Sequence, residues 1–474
     1  MAGGIPGLFN NRSKSLLPDR RGEASPGAAG PGAAGPGAAG PGAERPGAPD
    51  GAERRNGRLY LTGLAVSVLG NNAMSLAAGI WVKSLTGSSG AAAMVSVCVY
   101  APTLAGPLAG AVADRVRRRR FLIALNLTSA VLILPLLAVG GAGSIWIIYA
   151  VMTWYGIHLT LSGPAEDALF AVMFSGELRR GLNGWRLGLQ EAGRLLAPLF
   201  GAGLFALAGG GTVSVFDAVT FVVAATMLGR IRFPETRPGT VSRRGAVSRR
   251  GAVSRRGGAP RRGGASRRGG ASRCWRADLL AGYTHIRQTP ELRRLLVAAS
   301  VVMSFSAVLV AAQYSLVQAV GEPPSFLGVF SASLGAGSIA ASLTSGRLLR
   351  RAGERWLAVL GMANFAAGNA LRATGLLPLA VAGSVVLGFA LPWLFLALLS
   401  RAQRRTPPEL QGRVSAAVTL VFFGPQAPLQ ALGAVAIGYL SYRQLYLAGA
   451  AVAVATAVGF IRITRPGRPA PDSG

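Results

Sequence analysis

The sequence predicts an all-α membrane protein with twelve transmembrane helices, and three observations predict it. Twelve apolar stretches run from about residue 60 to residue 463, most of them close to the ~20 residues that carry a helix across ~30 Å of hydrocarbon. The positive charge falls in alternate connections between these stretches. The 474 residues are 51% hydrophobic and only 14% charged, with a mean hydropathy of +0.42, which leaves too little charge to clothe a soluble chain of this length. A backbone in lipid must satisfy its own hydrogen bonds, so consecutive apolar stretches imply a helical bundle.

Taken in order, residues 1–58 are low in complexity, with a Pro-Gly-Ala-Ala-Gly unit that starts at Pro26, recurs at Pro31 and Pro36 and decays through Pro41 and Pro46. A period of five is not the three of collagen, and the segment is too poor in large apolar residues to fold, so it reads as a disordered tail. No cleavable signal peptide is expected ahead of the first apolar run. The predicted spans are 60–82, 92–112, 121–140, 144–163, 187–208 and 212–231 in a first bundle of six within 59–231. In a second bundle of six, within 295–463, they are 295–316, 325–345, 356–373, 377–400, 414–435 and 443–462. Residues 464–474 form a second disordered tail.

Residues 232–294 join the bundles. A Val-Ser-Arg-Arg-Gly-Ala unit begins at Val241, and its arginine pair recurs every six residues from Arg243/Arg244 to Arg267/Arg268. Such a segment reads either as a solvated linker or as a patch for anionic lipid or nucleic acid; the linker is the simpler account. The net charge of +31 does not imply a nucleic-acid partner, because the basic residues sit in tails and loops rather than as a stripe on a folded domain. Arginines at 115–120, 179–180, 243–268, 347–355 and 401–413 all fall on one side of the predicted topology, whereas Lys83, Arg372 and Arg443 fall on the other. The positive-inside rule then places both termini in the cytoplasm, in agreement with an even number of spans. Cys98 and Cys274, like His158 and His285, are too few and too far apart for a disulfide framework or a metal site, and no cofactor is expected.

Several motifs carry more specific information. After the second span stands Gly110-Ala-Val-Ala-Asp114-Arg115-Val-Arg117-Arg118-Arg119-Arg120, and a degenerate copy, from Gly346 through Arg350, Arg351 and Gly353 to Arg355, follows the eighth. The same loop at the same place in each half fits an internal repeat. Along the fifth span, Gly184, Gly193, Ala197-Pro198 and Gly201-Ala202 place small residues on a helix that also holds a proline, suited to close helix packing.

With two bundles of six and these loops, the chain resembles the major facilitator superfamily. Gly110, Asp114, Arg115, Arg118 and Arg119 match its signature loop, apart from Arg117 at the second glycine. The resemblance implies a cytoplasmic gate in which Asp114 and the arginines form a charge relay; a plain stop-transfer charge cluster is the alternative, and it would explain the arginines but neither Gly110 nor Asp114. Gly184, Gly193, Pro198 and Gly201 resemble the antiporter motif that accompanies exporters in that superfamily, with two glycines softened to alanine; an ordinary packing face is the alternative. Leu85-Thr-Gly-Ser, Ala113-Asp-Arg, Gly163-Pro-Ala, Phe216-Asp-Ala-Val-Thr-Phe and Gly412-Arg-Val look like the bacterial branch of macrolide-efflux and enterobactin-exporter proteins, over residues 58–463 without the repeat loop.

A charge inside a membrane costs about 2.5–3.5 kcal/mol at a helix centre on insertion scales, so each invites an explanation. Glu191 and Arg194, three apart on the fifth span, face one way and pair either as a proton-loading carboxyl with its modulator or as a static ion pair. Asp217, about a turn into the sixth span, is a proton or substrate site or a helix cap. Glu166 and Asp167, after Pro164, are expected in an interfacial helix. Two departures weaken a proton-coupling reading. The fourth span lacks the arginine of many drug/proton antiporters, and Asn71-Asn72 stand where relatives often have Gly-Asp.

Trp154, Tyr155, His158, Gln313, Tyr314, Trp393 and Gln426 are the candidate cavity residues, with Phe305 and Phe422, and a mostly apolar cavity would suit an amphipathic ligand. The expectation is a monomeric, multi-pass plasma-membrane transporter, not an enzyme, exporting a small amphipathic molecule in exchange for protons. An importer or facilitator on the same fold is the first rival. A non-transport scaffold or receptor is the second, disfavoured because no nucleotide loop or nucleophile motif is present.

Overall fold

A computed structural model describes residues 51–106, 116–232, 280–407 and 410–464. Those residues are helical, with no strand among them. In the first half lie α1 (Gly51–Thr86), α2 (Ser89–Tyr100, continued by a 3-10 turn over Ala101–Ala105), α3 (Arg118–Leu132), α4 (Ile145–Met173) and α5 (Gly176–Arg230). In the second half lie α6 (Pro290–Val308), α7 (Val310–Ala319), α8 (Leu327–Ala373), α9 (Leu377–Arg405), α10 (Gln411–Phe423), α11 (Gln426–Ala436) and α12 (Tyr442–Ile463). Among the described residues, eight helical segments are long and apolar enough to cross a membrane, and nine if α6 and α7, bent by 47° at Leu309, count as one. The chain is a multi-pass membrane protein.

Two of these helices double back. Gly209 breaks α5 with φ 74° and ψ 177°, a backbone that a side chain strongly disfavours. The rings of Phe200 and Phe216 lie 5.0 Å apart across the break, whereas 16 residues of straight helix would separate them by roughly 24 Å. Gly353 breaks α8 in the same way, with φ 74° and ψ 174°. Its two legs flank α9 in opposite directions. Ser338 and Ala341 meet Gly388 and Trp393 in ascending order, whereas Gly361 and Gly368 meet Leu394 and Gly383 in descending order.

Small residues bring these helices together. A Cβ on Gly368 would sit 2.7 Å from the Gly383 carbonyl oxygen, and one on Gly383 would sit 2.7 Å from that of Gly368. In lipid there is no hydrophobic drive between helices, so this close backbone approach is what packing rests on. The second half is held by one large apolar cluster that includes Leu295, Phe330, Phe365, Leu394, Phe422 and Tyr446. The first half has two clusters. One surrounds Met74, Met152 and Phe221, and the other surrounds Tyr60, Leu122, Phe170 and Phe174.

Several boundaries differ from the sequence reading. Helix α1 already includes Gly51 and the polar residues that follow it, within the expected tail. Residues 280–288 are helical inside the expected linker. Helix α4 runs unbroken past Pro164 to Met173, so Glu166 and Asp167 belong to that helix and not to a separate interfacial one. The spans expected at 295–316 and 414–435 are each divided into two helices. The arginine repeats at 243–268 and the two tails before Gly51 and after Thr464 lie outside the described residues.

Candidate central cavity

A cavity of about 520 Å³ lies between the two halves. Its wall follows from helical spacing. On α1, Val68, Asn71, Asn72, Ser75 and Leu76 recur at three- and four-residue intervals and so share one face. Val95, Ser96, Val99 and Tyr100 do the same on α2, Tyr155, His158 and Leu159 on α4, and Gln190 and Arg194 on α5. The second half adds Gln313 and Tyr314 from α7.

The helix itself satisfies part of the α1 wall. Asn72 Nδ2 donates to the Val68 carbonyl at 2.8 Å, and Ser75 Oγ donates to the Asn71 carbonyl at 2.7 Å. Asn71 Nδ2 reaches Ser67 Oγ at 3.3 Å, while its buried Oδ1 has no protein partner. These local bonds let polar side chains sit in an apolar helix at modest cost.

Ser129 organises the α4 wall. Its Oγ accepts from Trp154 Nε1 at 2.9 Å, lies 2.9 Å from His158 Nδ1, and lies 2.9 Å from the Leu125 carbonyl. One hydroxyl proton serves only one acceptor at a time. With it on Leu125, His158 Nδ1 must be the donor. The imidazole also packs edge-on against Phe221, with centroids 5.1 Å apart.

Among the described residues, Arg194 is the one charged residue lining the cavity. Its Nη1 donates to Glu191 Oε1 at 2.9 Å, and both side chains are more than half exposed. The pairing foreseen from their spacing is present. Asp217 is fully buried. Its Oδ1 accepts from Thr220 Oγ1 at 3.1 Å, Oδ2 has no protein partner, and the backbone of Gly70 lies against both side chains. The cap reading of Asp217 fails, because this leg starts at Gly210 and Asp217 sits about two turns inside it.

Four of the seven candidate cavity residues meet here: Tyr155, His158, Gln313 and Tyr314. The other three are placed elsewhere. Trp154 is turned onto Ser129, and Trp393 Nε1 donates to the Ala341 carbonyl at 3.1 Å, tying α9 to α8. Gln426 opens α11 away from the wall. Of the further aromatics, Phe422 is buried against Phe395 and Phe423. The lining surface is mainly apolar, as expected, although amides and hydroxyls are numerous among the side chains that form it. Sequence reasoning missed Ser75, Ser96, Tyr100, Gln190 and the hub Ser129. The periodicity that joins Asn71 to Ser75 and Ser96 to Tyr100 was the available signal.

The small residues of α5 pack on α1 and α8. A Cβ on Gly201 would lie 2.5 Å from the Ala73 carbonyl oxygen, Gly193 faces the Val68 side chain, and the Pro198 carbonyl lies 3.3 Å from a Cβ built on Gly328. Gly184 faces open space. Gly110, Asp114 and Arg115 lie outside the described residues. Arg118 begins α3, and Arg119 donates through Nε to the Leu228 carbonyl at 2.8 Å and through Nη2 to that of Gly229.

The described hydrogen bonds between the halves lie at one end, where the α1–α2 and α7–α8 turns meet. Lys83 Nζ donates to Gln318 Oε1 at 2.8 Å, and Ser315 Oγ donates to Ser89 Oγ at 2.8 Å. At the other end, described ion pairs stay within a half. Arg401 reaches Glu291 and Glu354 at 3.3 and 3.2 Å, and Arg186 reaches Asp167. Among the described residues no group of His, Cys, Asp and Glu could hold a metal ion.

The sequence profile of the Major Facilitator Superfamily matches residues 60–310 and 294–474. No curated protein matches the chain significantly. Among solved structures, the nucleoside transporter NupG is similar at a TM-score of 0.64 and 12% identity, over 88% of this chain and 100% of that one. A bacterial homologue of the iron transporter ferroportin, in an inward-facing state, gives 0.58 and 17%, over 87% and 99%. The POT family transporter PepTSo gives 0.61 and 14%, over 85% and 97%. At these identities the likeness is one of fold.

Proposed function

The chain belongs to the major facilitator superfamily, and from that premise we propose that it is a twelve-helix exporter that works by alternating access in the plasma membrane. Counting the legs of α5 and α8 separately, α2 as a short span, and α6–α7 and α10–α11 as one each gives twelve helices. They fall into six-helix bundles within 59–231 and 295–463, with both termini in the cytoplasm by the distribution of arginine. The observation that carries the reading is the cavity walled by both halves, with the hydrogen bonds between those halves gathered at one end. Given the arginine distribution, that end is the outer one, so the described form is closed outward.

The substrate is a small molecule. The mainly apolar wall with its amides and hydroxyls suits an amphiphile with several hydrogen-bonding groups, neutral or anionic because, among the described residues, Arg194 is the one charge lining the cavity and no carboxylate lines it. Export rather than import is supported by the resemblance of Gly184, Gly193, Pro198 and Gly201 to the antiporter motif, and three of those four lie in tight helix contacts. The loop of Gly110, Asp114, Arg115, Arg118 and Arg119 is the proposed inner gate. Proton exchange is assigned to an acid of the first half, Glu191 or Asp217.

The test is accumulation of fluorescein, an amphipathic anion, and of ethidium, a cation, in cells expressing the protein, with and without a protonophore. Lower fluorescein accumulation that the protonophore reverses, with ethidium unchanged, is expected. Higher accumulation on expression would make the protein an importer, and ethidium-selective efflux would overturn the substrate class.

A further inference from the structure

A second cavity, of about 610 Å³, lies at the end of the first half that carries Gly51, and four arginines line it. Arg55 comes from α1, Arg119 from α3, and Arg230 and Arg232 from the end of α5. Leu59 and Ile231 supply apolar lining.

Depth is the first argument for a ligand. Each arginine stands just outside the apolar run of its own helix: Arg55 before Leu59, Arg119 before Phe121, and Arg230 and Arg232 after Leu228. Three helices thus bring guanidinium groups to one level, where hydrocarbon gives way to lipid headgroups.

Charge is the second. Among the described residues no carboxylate lines the cavity, and Arg55, Arg230 and Arg232 form no ion pair there. The comparable basic cluster of the second half is neutralised from within, since Arg401, Arg404 and Arg405 meet Glu354 and Glu291 at 2.9–3.3 Å.

Fixed geometry is the third. Arg119 is held by the Leu228 and Gly229 carbonyls. Asn56 Nδ2 donates to the Arg232 carbonyl at 3.0 Å, and Arg232 N–H donates to Asn56 Oδ1 at 3.4 Å, so the end of α5 is fastened beside Arg55.

We propose that this cavity binds the phosphate of an anionic phospholipid. Guanidinium forks match phosphate oxygens in pairs, and basic clusters at a membrane surface draw anionic lipid. Leu59 would meet the first acyl methylenes. A lipid held there ties α1, α3 and α5 together at their common end.

The experiment uses the purified full chain, delipidated in neutral detergent. Phosphatidylglycerol, phosphatidylcholine and inorganic phosphate are titrated separately, with bound lipid read by native mass spectrometry and thermal midpoints alongside. Phosphatidylglycerol is expected to bind and raise the midpoint, phosphatidylcholine and inorganic phosphate to do neither. In Arg55→Gln/Arg230→Gln/Arg232→Gln its affinity is expected to fall roughly tenfold or more, while in Arg404→Gln/Arg405→Gln it stays as in the wild type. Should the triple variant misfold, the single variant Arg55→Gln gives the same reading at smaller amplitude. Unchanged affinity in the arginine variants, or equal binding of the two lipids, overturns the proposal. Stabilisation by inorganic phosphate alone would reassign the cavity to a free anion and overturn the lipid assignment.

Discussion

Lys83 and Gln318 join the two halves of the protein: Nζ of the lysine donates to Oε1 of the glutamine at 2.8 Å. The ammonium also donates to the Gly87 carbonyl at 2.6 Å and to Ser89 Oγ at 3.0 Å. Its three protons are therefore matched by three acceptors, none of them a carboxylate. Ser89 in turn accepts from Ser315 of the second half. One lysine thus organises a turn of the first half and fastens it to the second.

That arrangement predicts a latch. A hydrogen bond to a charged group contributes about 1.5–3 kcal/mol net, so Lys83→Ala should shift the balance toward forms open at this end by about tenfold or more. Spin labels at Ser88→Cys and Tyr439→Cys, in a background with Cys98 and Cys274 replaced by serine, would report a new, longer distance population. Gln318→Leu should act in the same direction, and Ser84→Ala, which bonds only within α1, should leave the distribution alone. An unchanged distribution in Lys83→Ala would refute the latch.

The glycines of α5 give an internally controlled prediction. Gly201→Ala forces a methyl against the Ala73 backbone, where its carbonyl carbon and Cα lie 2.8 and 2.7 Å away, and overpacking of this kind costs about 1–3 kcal/mol. Gly184→Ala meets open space and should be neutral or stabilising by up to about 1 kcal/mol. Thermal melts in detergent should separate the two variants by several degrees. Equal midpoints would mean that α1 and α5 part easily at Ala73.

How far the fold was legible follows from these same residues. Long apolar runs and alternating charge reveal the bundle because lipid forbids other solutions, so the helices and the folded-back legs at Gly209 and Gly353 lie where composition changes. Helix ends were less legible, since Met173 and Leu309 depend on polar turns and bends that hydropathy does not report. The cavity was half legible. Tyr155, His158, Gln313 and Tyr314 stand out as aromatic or polar residues at depth, but so do Trp154 and Trp393, and only tertiary packing turns those two onto Ser129 and Ala341. Ser129 itself carries no sequence signal, because a serine in an apolar helix commonly bonds its own backbone.

Ser129 offers a third test. Ser129→Ala removes the acceptor of Trp154 Nε1 and the partner of His158 Nδ1, and a buried polar group left unpaired costs about 1–3 kcal/mol. In a double-mutant cycle with Trp154→Phe, the second substitution should cost less in the Ser129→Ala background, with a coupling of about 1 kcal/mol read from thermal or denaturant unfolding. Strict additivity would show that the 2.9 Å contact between Trp154 and Ser129 contributes nothing.

The two candidate coupling acids, Glu191 and Asp217, differ in a way that separates coupling from folding. Glu191 and Arg194 form an exposed pair one turn apart, and such pairs contribute about 0.2–1 kcal/mol. Glu191→Gln should therefore leave the thermal midpoint nearly unchanged. Asp217 is fully buried and accepts from Thr220, so Asp217→Ala should lower the midpoint, whereas Asp217→Asn keeps an oxygen for that bond and most of the packing against Gly70. In proteoliposomes carrying a pH gradient, Glu191→Gln should abolish uphill accumulation of the substrate but spare downhill exchange. Uphill transport that survives in Glu191→Gln and is lost in Asp217→Asn would move the coupling carboxyl to Asp217. Uphill transport that survives both would remove proton exchange through either acid from the mechanism.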